Sequence, residues 1–202
     1  MKTVYENHSI LSLKWARREL SKQTDFWKMF RAGNMRATHN KIYSYGDHFC
    51  IAEFRDGVVL FTEKRFSVST AKHLHQVGRA LTYTTHEVIN VPTLDGADAT
   101  PKTWIEIKLK EASVSYSLAK KARSAKLQRI CECIENLNQA AKYAEVFGEN
   151  PPSSKAVPSD LFDLLAVEVF KAKCSDAWYS SLIPTLHPCY RQTLSTPTAV
   201  AA

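Results

Sequence analysis

The dipeptide Asp56-Gly57 stands between two short runs of aromatic and β-branched residues, and this arrangement restricts the fold more than any other feature of the chain. Glycine accepts the positive φ that a two-residue type I′ turn needs, so the pattern predicts a hairpin of strands His48–Phe54 and Val58–Thr62. A third strand is predicted at Lys41–Tyr45, because Gly46-Asp47 supplies a weaker turn signal after it. Together these strands predict a β-meander.

Helices are predicted on both sides of this meander. Residues 9–32 are predicted to be helical, because apolar side chains recur at three- and four-residue steps. Thr24 and Asp25 are candidates to cap a second short helix within this span, which the Gly-Asn pair that follows is expected to end. Ser67 or Ser69 is expected to cap a second helix that runs to about Leu81. Residues 112–147 show the longest helical stripe of the chain.

Two more strands are predicted, at Glu87–Val91 and at Thr103–Leu109, with a proline-flanked loop between them. The predicted fold class is therefore α+β, in which a small antiparallel sheet packs against several helices.

Three regions are predicted along the chain. Residues 1–148 are expected to form a single α+β domain, because 202 residues are enough for one core without disulfides or metal. Residues 149–182 are expected to form a linker and a C-terminal helix at Asp160–Cys174. Residues 183–202 are rich in Pro, Thr and Ala, which predicts an extended tail.

The composition narrows the class of protein. No run of eighteen apolar residues is present, so no membrane partner is expected. The five cysteines are odd in number and scattered, which predicts free thiols in a reducing compartment. The net charge of +7 is uneven, since residues 1–36 carry +5, residues 37–100 carry −1, residues 101–129 carry +6 and residues 130–202 carry −3. Segregated positive charge favours a polyanionic partner.

The second basic block is the first candidate for phosphate contact. It consists of Lys108, Lys110, Lys120, Lys121, Arg123, Lys126 and Arg129. No sequence-reading motif accompanies these residues, so binding would be directed to the nucleic-acid backbone. The alternative is a solvated helix face without a partner.

The central segment supplies a second candidate. Tyr45 and His48 are expected to meet Lys72 and His73 on a shared rim, and a helix N-terminus next to Lys72 suits phosphate. The alternative for the helix start is a simple cap. For His48 a structural role is expected, buried in the core on the strand that carries Phe49 and Ile51. No metal site is predicted, because His48 and Cys50 share a strand face but lack two further ligands.

An enzymatic alternative comes from Asp95, Glu106 and Lys108. A Glu-x-Lys pair on one face of a strand, with an Asp upstream, outlines a PD-(D/E)xK-type nuclease site that would hold Mg²⁺. The competing interpretation is a charged edge strand that discourages aggregation. Apart from this alternative, no catalytic residue and no cofactor is predicted.

The motif Tyr43-Ser-Tyr-Gly-x-His48-Phe-x-Ile-Ala, followed by Phe66-Ser-Val-Ser-Thr-Ala-Lys-His73, resembles a domain of uncharacterised bacteriophage proteins. The resemblance covers about residues 28–82 and includes Arg31-Ala-Gly-Asn34. It implies a phage origin and a role in the host cytoplasm during infection, and it implies no catalytic residues.

The predicted function is that of a phage accessory protein that binds nucleic acid, or a complex that handles nucleic acid, without sequence specificity. A non-enzymatic inhibitor that binds a host defence protein is the first alternative. The Mg²⁺-dependent nuclease is the second. A non-enzyme is preferred, and the oligomeric state is left open.

Overall fold

A computed structural model of the protein describes residues 7–20, 30–171 and 187–191. The strands are β1 (Phe30–Ala32), β2 (Met35–Ala37), β3 (Lys41–Ser44), β4 (Phe49–Arg55), β5 (Val58–Thr62) and β6 (Val88–Val91). The helices are α1 (His8–Ala16), α2 (Val68–Leu81), α3 (Pro101–Lys121), α4 (Lys126–Phe147), α5 (Leu161–Lys171) and α6 (Pro188–Arg191), with a 3₁₀ turn at Ser154–Ala156. The α+β class is confirmed.

The chain divides into two compact units, residues 1–99 and residues 100–202. This division lies well before residue 148, where the sequence suggested the end of a domain. All six strands belong to the first unit, and α3 to α6 belong to the second.

The first unit is built on a sheet whose strand order equals the order along the chain, β1-β2-β3-β4-β5-β6. Strands β1 to β5 pair antiparallel, and β6 pairs parallel with β5. The predicted meander is confirmed for β3 to β5, whereas β1 and β2 were not predicted. Because a parallel neighbour needs a long crossover, the chain passes through α2 before it returns as β6. The sheet is therefore mixed.

The turn at Asp56-Gly57 is confirmed. Both residues have positive φ, 50° and 86°, as a type I′ turn requires, and Arg55 lies opposite Val58. The cap of α2 is also confirmed, because the Ser67 side chain accepts a hydrogen bond from the Thr70 N–H.

The helical prediction over residues 9–32 is confirmed at its start by α1 and was wrong at its end. Residues 21–29, where the second short helix is predicted to begin, lie outside the described residues. Helix α1 ends at Ala16, and Phe30–Ala32 is a strand. Gly33-Asn34 forms the turn between β1 and β2, where Gly33 has a φ of 51° and Ala32 lies opposite Met35. The same glycine chemistry serves a helix end and a tight hairpin, so the pair alone does not distinguish them.

The core of the first unit lies between the sheet and its two helices. Leu11 and Trp15 of α1 meet Val77 of α2 in one buried cluster with Phe49 and Ile51 of β4. Apolar side chains at helical spacing on α1 and α2 thus cover the same set of strand side chains.

The second unit is organised by α3 and α4. The two helices run antiparallel, because Trp104 near the start of α3 contacts Phe147 at the end of α4, with ring centroids 5.7 Å apart. The stripe predicted over residues 112–147 is helical but divided, because α3 ends at Lys121 and α4 begins at Lys126.

The predicted strand Thr103–Leu109 was also wrong, because these residues lie in α3. Thr100 caps this helix by accepting from the Thr103 N–H, and Pro101 occupies its first turn, where a missing N–H costs nothing. The buried positions of α3 recur at steps of three and four residues, and they include Trp104, Lys108, Ala112, Ser115 and Ala119. This helical spacing over the whole segment outweighs the short apolar-polar alternation, which by itself predicts a strand.

The extended tail predicted for residues 183–202 needs a correction at residues 187–191. Pro188–Arg191 is helical, and Tyr190 is fully buried in the core of the second unit. The rest of the predicted tail lies outside the described residues, as do residues 172–174 of the predicted C-terminal helix. None of the described helices combines the length and apolarity needed to cross a bilayer.

Candidate nucleic-acid interface

The seven basic residues predicted to contact phosphate fall into two groups. Four of them are held in ion pairs. The N···O distances are 3.1 Å for Lys108–Glu111, 3.2 Å for Lys120–Asp160, 3.6 Å for Lys126–Glu168 and 2.8 Å for Arg129–Glu132. Lys108 is also buried, so its charge is withdrawn from the surface. These four side chains have carboxylate partners already and are weaker candidates for phosphate contact.

Lys120 shows how closely one of these charges is compensated. Tyr116 and Lys120 both donate hydrogen bonds to Asp160. These two bonds hold the pKa of the Asp160 carboxyl below its usual value. The pair is exposed, so it contributes little to stability, but it keeps a negative charge beside Lys120.

The other three basic residues are Lys110, Lys121 and Arg123. They are exposed and form no hydrogen bond or ion pair with any residue that the structure describes. Lys121 is the last residue of α3, and Arg123 lies in the turn that leads to α4. Their charges are therefore free to meet a polyanion.

The turn between α3 and α4 adds backbone donors to these two cations. Ala125 precedes α4 with a φ of 56°, and no side chain caps the helix. The first turn of α4 also contains no acidic residue. The first N–H groups of a 22-residue helix thus stand next to Arg123 without a side-chain acceptor, where the helix dipole favours an anion.

The central segment brings together only part of the predicted rim. The rings of Tyr45 and His73 lie 6.0 Å apart between centroids, and the Nδ1 atom of His73 lies 2.7 Å from the hydroxyl oxygen of Ser44. His73 is buried, and the ring of His8 packs edge-on against it at 4.6 Å. His73 is consequently a core residue of the first unit.

His48 and Lys72 lie apart from this cluster. The side chain of His48 is 87% exposed, so the expectation of a buried His48 was wrong. Strand β4 begins one residue later, at Phe49, because Tyr45 and Gly46 adopt positive φ in the preceding turn. His48 therefore does not share a strand face with the buried Cys50. Lys72 is exposed on α2, whose N-terminus is capped by Ser67.

The burial of His73 makes the first unit sensitive to acid. Burial, and then the neighbouring His8, lower the pKa of His73 below its usual value. The unfolded chain then takes up a proton more readily than the folded chain. We expect the contribution of neutral His73 to the free energy of unfolding to be fully present above about pH 6.5. It should decrease as the pH drops from there toward the pKa of His73 in the folded state.

Urea unfolding of wild type and His73→Gln at pH 7.5 and pH 5.5 measures this effect. The loss on acidification is expected to be larger in wild type, because glutamine does not titrate. An equal loss in both proteins would assign the acid sensitivity to other groups.

The nuclease alternative loses the geometry on which it rested. Glu106 and Lys108 lie two positions apart on a helix, where such residues point in different directions, and Lys108 is buried beside Glu111. Asp95 belongs to the first unit, where its Oδ1 atom accepts the Cys50 N–H at 2.9 Å. Asp95 therefore has a local structural role in holding β4.

The four cysteines that the structure describes are free thiols. Burial raises the pKa of Cys50 and of Cys133 to about 12, so both remain protonated at neutral pH. Cys174 lies outside the described residues.

Sequence reasoning missed one basic site in the first unit. An open cavity of about 690 Å³ lies beside α2 and is lined by Arg65, Arg79 and His75 together with Phe61 and Asn90. His75 and Arg79 are one helical turn apart, which was a readable signal. The position of Asn90 beside Phe61 was not readable, because it depends on the parallel register of β6 with β5.

Comparison with known proteins assigns no family to the chain. No protein-family model, no curated protein and no solved structure matches it. The resemblance of residues 28–82 to the bacteriophage domain stays a prediction.

Proposed function

We propose that the protein is a bacteriophage accessory protein that binds the phosphate backbone of nucleic acid in the host cytoplasm, without reading the base sequence. The observation that supports this proposal most directly is the turn between α3 and α4. There Lys121 and Arg123 are exposed, have no partner in the described part of the chain, and precede the uncapped start of α4.

The chemistry of this turn suits phosphate. Guanidinium and ammonium groups release counterions when they neutralise phosphates, which drives binding at low salt. Backbone N–H groups at a helix start offer further donors to phosphate oxygens. Neither kind of contact distinguishes one base from another, so the binding is directed to the backbone.

Salt titration of binding to mixed-sequence DNA and RNA tests the proposal. Wild-type affinity is expected to fall steeply with salt. In the double variant Lys121→Glu and Arg123→Glu, the magnitude of the slope of log affinity against log salt should fall by about two, and affinity at low salt should fall with it.

The matched control is the double variant Lys102→Glu and Lys155→Glu. It makes the same change of net charge at two other exposed lysines of the second unit. If this control weakened binding as much as the turn variant does, binding would depend on net charge and not on the turn. Salt-insensitive binding of wild type would also contradict the proposal.

A second candidate function is protein binding, as an inhibitor of a host defence protein. Val114 and Leu118 of α3 are 50% and 44% exposed, one helical turn apart. They line a groove of about 490 Å³, with Lys110 and Glu111 among its charged residues. The two functions are separated by comparing two double variants. Nucleic-acid binding should be retained in Val114→Ser with Leu118→Ser, and it should be lost in Lys121→Glu with Arg123→Glu.

A further inference from the structure

The cavity in the first unit lies where the helix layer stops short of the sheet edge. In the parallel pair of β5 and β6, Phe61 lies directly opposite Asn90, so their side chains point to the same face. Asn90 and Val88 of β6 are exposed, whereas Val59 of β5 is buried in the core below the helices. An open cavity of about 690 Å³ therefore runs between α2 and the outer two strands.

Three cationic or titratable side chains line this cavity without a partner. Arg65 comes from the loop after β5, and His75 and Arg79 come from one face of α2. None of the three forms a hydrogen bond or an ion pair with a residue in 7–20, 30–171 or 187–191. Among the described lining residues, Glu63 is the acid that stands against Arg65 and Arg79, so the charge balance of the lining is positive.

The cavity also has apolar lining and a glycine. Phe61 and Leu74 line it, together with Gly78 in the interior of α2. Glycine inside a helix costs about 1 kcal/mol relative to alanine. A Cβ at position 78 would meet the Phe61 Cζ atom at an ordinary distance of 3.6 Å, so core packing does not demand glycine there. Gly78 leaves space next to an aromatic ring.

The location also suits a ligand. Arg65 lies just after the end of β5, where the chain leaves the sheet toward α2. The volume lies within the range of about 300–1,000 Å³ that is typical of small-molecule sites.

We propose that this cavity binds a nucleoside phosphate, with the phosphate at Arg65, His75 and Arg79 and the base beside Phe61. The ligand is either a free nucleotide or the phosphorylated end of a strand, since both present the same chemistry. This inference stands apart from the proposed function, because it involves none of the residues in the turn between α3 and α4.

Titration calorimetry on the full chain tests it with AMP, ATP, adenosine, inorganic phosphate, and one oligonucleotide with and without a 5′-phosphate. A phosphorylated nucleoside is expected to bind more tightly than adenosine and than inorganic phosphate. Because Arg65 and Arg79 are exposed, Arg65→Ala and Arg79→Ala should fold normally, and each should lower that affinity about 10-fold or more through a lost charge-assisted hydrogen bond.

Two further variants keep the test decisive. Gly78→Leu fills the cavity and retains every charge, and it is expected to lower affinity as much as the loss of one arginine. Arg17→Ala removes an exposed arginine of the same unit that does not line the cavity, and affinity is expected to stay at the wild-type value. The turn variant Lys121→Glu with Arg123→Glu is expected to retain nucleotide binding, which separates this site from the proposed function.

Mononucleotide binding would assign a free ligand, and binding of only the 5′-phosphorylated oligonucleotide would assign a strand end. The proposal is overturned if neither a mononucleotide nor the 5′-phosphorylated oligonucleotide binds to wild type, or if the oligonucleotide binds equally well without its 5′-phosphate. It is also overturned if inorganic phosphate binds equally well, if Arg17→Ala weakens binding as much as Arg79→Ala, or if Gly78→Leu leaves binding unchanged.

Discussion

Replacing Tyr190 by alanine is expected to lower the free energy of unfolding of the second unit by about 3–5 kcal/mol, as truncation of a buried aromatic side chain typically does. The ring is fully buried among side chains of α4 and α5. Its hydroxyl donates a hydrogen bond to the Leu137 carbonyl at 3.1 Å. Burial raises the pKa of the phenol, which keeps it protonated as the donor. Denaturant unfolding followed by circular dichroism measures the loss.

Tyr190→Phe is the control for this prediction. It keeps the ring and removes the hydroxyl, so the expected cost is only about 1 kcal/mol. If Tyr190→Ala unfolded at the wild-type denaturant concentration, residues 187–191 would be the dispensable tail that their composition predicts.

Replacing Trp104 by alanine is expected to cost about 3–5 kcal/mol as well. Trp104 is fully buried, and its ring meets those of Tyr143 and Phe147 edge-on, with centroids 6.1 Å and 5.7 Å away. Such aromatic pairs add to the burial of the side chain. Chemical denaturation followed by circular dichroism at 222 nm measures the loss without relying on the tryptophan signal.

Glu106→Ala is the matched control for Trp104→Ala, and it also tests the local structure. Glu106 is exposed on α3, so its removal should change stability by no more than about 0.5 kcal/mol. On a strand, residues 104 and 106 would share one face and would be similarly buried. Comparable large losses from both substitutions would therefore contradict the helix.

Local turn and cap chemistry was readable from the sequence. Asp56-Gly57 forms the predicted turn and Ser67 forms the predicted helix cap, and each acts only on residues within a few positions. Gly33-Asn34 was assigned to a helix end because the positive φ that glycine adopts there is also the one that a tight hairpin uses. Thr103–Leu109 misled because its alternation imitates a strand, while the helical period becomes visible only over the longer span to Ala119.

The candidate sites depended in part on contacts between residues far apart in the sequence, which no local pattern contains. Asp160 compensates Lys120 and Glu168 compensates Lys126, and each pair joins residues about forty positions apart. The sequence alone therefore does not show which lysines and arginines are paired with carboxylates and which are available to bind phosphate. The cavity beside α2 depends on the register of β6, which the chain reaches only after the α2 crossover.

The neighbour-to-neighbour order of the sheet has a consequence for protein synthesis. Each strand from β2 to β6 emerges from the ribosome when its pairing partner is already outside, so the first unit can assemble while translation continues. The second unit is different, because Tyr190 completes its core. Helix α4 ends more than forty residues before Tyr190, and α5 supplies only part of the cover, so some apolar surface of the second unit stays exposed on the nascent chain until residues 187–191 emerge.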